Sequence, residues 1–241
     1  MELKPIRTDG EPVRRDFPYE AAADVVAAEQ GRKVLRSTYL LLALTMVPTV
    51  IGAWIGMQTV SIVMASPVIT SFAVLGVVIA LQFGIAANRN SGVGVALLLL
   101  MTGVLGWWLA PILTVALSMR NGLALVGYAA VGTGVIFAAM AALAATLKRD
   151  LNFLGKFLFA GMIALLVAWV AFIFLQIPAL GLTIATIAVL IFSLYLVYDL
   201  QRIIRGGETN YIMAATGVYM SLWNIFANLL YLLLSLAGER D

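Results

Sequence analysis

Asp199 is the only acidic residue within the long apolar stretches of this chain, and it follows the run "ATIAVLIFSLYLVY". An ionised carboxylate near the bilayer centre costs about 2.5–3.5 kcal/mol on insertion scales. Two readings follow. In one, the helix ends close by, and Asp199 reaches interfacial water and pairs with Arg202 three residues on. In the other, the carboxylate turns inward on the face of Tyr195 and Arg202 and titrates there, so that proton concentration is coupled to helix packing. A second constellation lies in the last apolar run. Gly217, Ser221, Asn224, Asn228, Tyr231 and Ser235 step by 4, 3, 4, 3 and 4 residues, which places them on one helical face. Amides facing lipid would lack partners at a cost of several kcal/mol each, so this face is expected to turn inward. There it either glues helices together or lines a functional cavity.

Between these constellations lies "RGGETNY". Gly206 and Gly207 suit a left-handed helix end, and Glu208, Thr209 and Asn210 suit the start of the next helix. With Arg202 and Arg205 they read as a tight, charged hairpin.

Enzymatic chemistry finds little to work with. The chain has no cysteine and no histidine, which removes thiol nucleophiles, the commonest metal ligand and the side chain best suited to proton exchange near neutral pH. Rhomboid-type serine hydrolysis and HExxH zinc proteolysis both need histidine. A retinal protein needs a lysine in its last helix, but the final lysine here is Lys156. Intramembrane aspartyl proteases pair a "YD" with an aspartate on the next helix; "VYD" at 197–199 has no such partner. No enzymatic activity, cofactor or metal site is expected.

The elements that must carry these residues are membrane spans. The 241 residues are 63% hydrophobic, with mean hydropathy +1.02, against roughly 45–50% apolar content in soluble domains. A span needs about 20 predominantly apolar residues. Seven such runs cover roughly 38–57, 68–87, 92–117, 122–146, 154–176, 178–199 and 211–237, with Pro111 expected to kink the third. The glycine pairs Gly52/Gly56 and Gly103/Gly106 indicate close helix packing. The fold class is therefore all-α: a polytopic membrane protein of seven transmembrane helices with the last one central. Residues 1–37 read as a cytoplasmic N-terminal tail with a short interfacial helix from Pro18, and 38–241 as the transmembrane domain; no cleavable signal peptide is evident. The N-terminal flank and the loops after the second, fourth and sixth runs carry Arg32, Lys33, Arg36, Arg89, Lys148, Arg149, Lys156, Arg202 and Arg205; the other side has Arg120 and Arg240. That asymmetry puts the N-terminus in the cytoplasm and the C-terminus outside. The bases read as topology signals, so no nucleic-acid partner is expected.

The stretch "YDLQRIIRGGETNYIMAATGVYMSLWNIF" resembles the signature of the Bax inhibitor-1 family, and "KVLRSTYLLLALT", "TGVLGWWLAPIL" and "LKRDLNFLGKFLFAG" match it in order along nearly the whole chain. The resemblance implies a bundle in which the seventh helix is enclosed by the other six. It also implies that calcium-leak members use two aspartates, in helices 6 and 7, with a helix-2 arginine and acid. Asp199 matches the first aspartate, but Ser221 stands at the second, and the second span has neither arginine nor acid, only Gln82. This counts against a calcium leak. "GGETNY" and "SLWNIF" look more like the proteobacterial branch that modulates the FtsH membrane protease. The resemblance thus implies a bacterial inner-membrane protein that binds and restrains this ATP-driven protease. A polar tail of about 17 residues would suit a pulling machine's initiation site. The alternative is a pH-sensitive calcium or cation leak channel, or a proton-responsive transporter, centred on Asp199 and the Ser221–Asn224–Asn228 stripe.

Overall fold

The structure, a computed structural model, describes residues 18–147 and 151–238. The expected N-terminal tail through residue 17 lies outside the described residues, as do Lys148, Arg149 and Arg240. The described residues form nine helices: α1 (Pro18–Gln58), α2 (Val60–Ala65), α3 (Pro67–Ala87), α4 (Gly92–Trp108), α5 (Ala110–Ser118), α6 (Gly122–Thr146), α7 (Asn152–Leu175), α8 (Pro178–Ile204) and α9 (Tyr211–Gly238). Six of them are long and apolar enough to cross a bilayer, and α4 with α5, bent by 40° at their junction, makes up to seven if the pair counts as one span. The bend falls at Leu109, with Pro111 in the first turn of α5, where its missing N–H and fixed φ are tolerated. The protein is an all-α, multi-pass membrane protein.

Two helices run further than their apolar runs suggest. α1 is continuous from Pro18 through the first span. Its Gly31 sits so close to the end of α8 that a Cβ there would lie 3.2 Å from the carbonyl oxygens of Ile203 and Ile204. α8 continues five residues past Asp199, which is therefore an intrahelical position and not a helix end.

The tightest packing joins α1 and α4. A Cβ at Gly52 would fall on the Gly103 carbonyl, one at Gly106 on the Thr49 carbonyl, and one at Gly56 would lie 2.6 Å from the Trp107 oxygen. Backbone meets backbone here because neither helix puts a side chain between them. Lipid tails are as apolar as leucine, so such approach, and the dispersion it gains, is what holds membrane helices together.

α9 occupies the centre. It packs on α8, α6, α1, α3, α4 and α5, whereas α7 packs mainly on α8 at the periphery. The inner core is apolar: Leu98, Met101, Leu196, Ala215, Val218 and Ile225 are all fully buried. The outer surface is equally apolar, with Ile69 at 72%, Phe83 at 74% and Leu123 at 78% exposed, as a bilayer-facing surface requires.

Substituting Gly52 by leucine should therefore separate α1 from α4 and destabilise the bundle by roughly 1–3 kcal/mol or more, the usual cost of overpacking. Thermal unfolding in detergent checks this. Gly76→Ala is the control, because a Cβ at Gly76 meets nothing within 4 Å.

Candidate functional site: the seam between α8 and α9

The polar stripe of α9 faces α8. Asp199 is partly buried, and its carboxylate lies over Gly217: a Cβ at that glycine would be 2.9 Å from Oδ2. At the other end of the seam the Tyr231 hydroxyl lies over Gly181, where a Cβ would be 2.5 Å away. Between them Ser221 is buried, at 3% exposure, and Asn224 and Asn228 are partly buried. The stripe thus turns inward, but it does not glue α9 to α8 by hydrogen bonds. Asn224 Nδ2 donates to the Met220 carbonyl at 2.8 Å, Asn228 Nδ2 to the Asn224 carbonyl at 2.8 Å, and Ser235 Oγ to the Tyr231 carbonyl at 2.9 Å. These groups satisfy themselves on their own helix, four residues back.

Asp199 has no hydrogen bond or ion pair among the described residues. The i+3 partner does not close on it. Arg202 Nη2 instead bonds Glu208 Oε2 at 3.3 Å, and its guanidinium carbon lies 5.6 Å from the centroid of the Tyr198 ring. Tyr195, one turn before Asp199, stacks on Phe192 with ring centroids 6.0 Å apart.

The hairpin after Arg202 is closely tied. Gly206 adopts φ +73°, and the N–H groups of Gly207 and Glu208 reach back to the Arg202 carbonyl at 2.8 and 3.1 Å, a glycine-dependent helix stop. Asn210 Oδ1 accepts from the N–H groups of Ile212 and Met213, both at 3.0 Å, and so caps α9. The same amide donates to the Arg89 carbonyl at 2.7 Å and to Asn90 Oδ1 at 2.8 Å, tying the hairpin to the α3–α4 turn. Arg205 Nη2 and Gln201 Nε2 reach the Leu147 carbonyl after α6 at 3.0 and 3.3 Å. The expected charged hairpin is therefore tied to two other places, the α3–α4 turn and the end of α6.

α9 has a second polar face, toward α1 and α4, which the stepped stripe does not include. Tyr219 is 1% exposed, and its hydroxyl lies 2.7 Å from Thr49 Oγ1 and 3.4 Å from the Thr102 carbonyl. Trp223 Nε1 donates to the Leu105 carbonyl at 3.1 Å. The available signals were the i, i+4 pairs Tyr219/Trp223 and Thr45/Thr49, polar groups repeated once per turn inside apolar helices.

This arrangement can be placed among known proteins. The family model described as "Inhibitor of apoptosis-promoting Bax1" matches residues 31–238. The chain belongs to the Bax inhibitor-1 family. Among its relatives is the Escherichia coli K12 protein called "Modulator of FtsH protease YccA", 39% identical over 201 residues, 83% of this chain and 89% of that one. An uncharacterized protein of Neisseria meningitidis is 40% identical over 217 residues, 86% of this chain and 92% of its own. An uncharacterized protein of Pseudomonas aeruginosa is 35% identical over 223 residues, 92% of this chain and 98% of that one.

Because the stripe amides bond their own backbone, Asn224→Leu and Asn228→Leu should change stability by less than about 1 kcal/mol. Asn210→Ala, which removes a cap and two cross-links, should cost about 1–2 kcal/mol. Thermal unfolding of the three variants in one detergent checks the ordering, and a large loss in Asn224→Leu would contradict the self-bonded geometry.

Proposed function

We propose that this protein is a non-catalytic inner-membrane modulator that binds an FtsH-type ATP-dependent protease and restrains it. The observation that carries this reading is the 39% identity, over most of both chains, to the E. coli protein named for that role. The same protein in a second E. coli strain is called "Inner membrane protein YccA", in keeping with the location. The proposed orientation has the N-terminus and the base-rich hairpin in the cytoplasm and the C-terminus in the periplasm. That puts the exposed Arg32, Lys33, Arg36 and Arg205 on the side where a cytoplasmic ATPase would stand. The lipid bilayer is the second partner.

One observation favours a second reading, a pH-sensitive cation or calcium leak or a proton-responsive transporter. Asp199 carries a carboxylate without a bonded partner, directly against the central helix. What weighs against it is the position facing that carboxylate: α9 presents the backbone of Gly217 and then Ser221, neither of which supplies a second acid.

Crosslinking in native membranes, followed by affinity purification, should recover the protease with this protein. Liposomes containing the purified protein and a calcium indicator should show no pH-dependent flux. Flux that disappears in Asp199→Asn, with no protease recovered, would replace the modulator reading with the leak.

A further inference from the structure

A cavity of about 480 Å³ opens at the end of the bundle away from the basic hairpin. Its walls come from the start of α3 (Pro67, Val68, Ser71), the end of α4 (Trp108), the end of α7 (Trp169, Phe172, Ile173) with Gln176 just after it, Pro178 of α8 and Tyr231 of α9. α3 and α7 do not pack along their lengths; they meet through the Phe72–Trp169 ring pair, with centroids 6.3 Å apart. The cavity is the crevice left between them, with the central helix contributing Tyr231 to its lining.

Its chemistry is specific. None of the lining residues is charged. The indole N–H groups of Trp108 and Trp169, the Tyr231 hydroxyl and the Gln176 amide have no hydrogen-bond partner among the described residues. Interfacial tryptophans ordinarily stand outward at headgroup level. Trp108 and Trp169 are instead partly buried and converge on one space with Tyr231. Indole is a donor only, so the group that satisfies these two must be an acceptor. An ion buried here would lack a counter-charge, so that acceptor is neutral, and the aromatic and aliphatic walls suit a hydrocarbon body. The crevice also lies where α7 ends and α8 and α3 begin, each with a proline in its first turn, which is the depth at which spans meet the interface.

We infer that this crevice holds one glycerophospholipid of the leaflet at the base-poor end. Its ester carbonyls accept from Trp108, Trp169 and Tyr231, one acyl chain lies against Val68, Phe172 and Ile173, and the phosphate stays in water at the mouth.

The test is native mass spectrometry of the full-length protein after delipidation, with palmitoyl-oleoyl phosphatidylethanolamine added stepwise. The wild type should retain a first phospholipid more tightly than all later ones. In the double variant Trp169→Leu/Tyr231→Phe that first step should weaken about tenfold, and Val68→Trp, which fills the groove from a position 39% exposed, should abolish it. Trp54→Leu, at a position 61% exposed and outside the cavity, should leave it unchanged. Equal retention by wild type and Val68→Trp at matched melting temperature would overturn the site. So would an equal loss in Trp54→Leu, which marks annular lipid only, or binding of palmitic acid with no phospholipid step. If the double variant fails to fold, Val68→Trp alone decides.

Discussion

Backbone contact between α1 and α4 is the constraint on which the rest of the bundle depends. Inside a bilayer there is no water to drive apolar surfaces together, so two helices associate only as well as they fit. Gly52 and Gly56 on one side, and Gly103 and Gly106 on the other, remove the side chains that would hold the helices apart. The approach also sets the spacing of Thr49 on α1 and Thr102 on α4, the two groups that meet the Tyr219 hydroxyl. A wider crossing would part that pair and leave a buried phenol without partners, at a penalty well above the worth of the bond itself.

α9 is consequently held in two different ways. Toward α1 and α4 it is hydrogen-bonded, through Tyr219 and through the Trp223 indole on the Leu105 carbonyl. Toward α8 it is packed: glycines at 181 and 217 receive the Tyr231 hydroxyl and the Asp199 carboxylate, while the asparagines between them bond their own helix. Polar residues in a span are thus not all of one kind. Those with a carbonyl one turn back can satisfy their donors at home, whereas a tyrosine hydroxyl stands too far from its own backbone and must find a partner on another helix.

This difference explains which features were legible in the sequence. The seven apolar runs, the bend by Pro111, the glycine stop after Arg205 and the inward face of α9 follow from periodicity and backbone chemistry, which are local. The pairing of Arg202, and the absence of a bonded partner for Asp199 among the described residues, are not set by local spacing. A spacing of three residues permits their pairing, but Glu208 competes for the guanidinium once the hairpin folds back, and nothing in the spacing ranks the two. The link from Asn210 to Arg89 and Asn90 joins positions about 120 residues apart and exists only because two turns share one end of the bundle. Hydropathy also understated α1 and α8, since a helix continues into charged residues whenever tertiary contacts, such as Gly31 against Ile203 and Ile204, hold it there. The enclosure of α9 is real, but α7 takes little part in it and lies behind α8.

The two ends of α8 are therefore held unequally. Near Arg205 the hairpin is fastened to the end of α6 and to the α3–α4 turn by directed hydrogen bonds. Eighteen residues earlier than Asp199, about 27 Å away along the helix, Gly181 lies against the Tyr231 hydroxyl and the Phe172 ring, beside an open crevice. Among the described residues no hydrogen bond crosses from the spanning part of α8 to α9. A small displacement of the Gly181 end of α8 against α9 thus works against packing alone, while moving α9 relative to α1 and α4 breaks buried hydrogen bonds as well. Shear of packed helices follows the cheaper plane, and here that plane carries the lone carboxylate near one end and Tyr231 near the other.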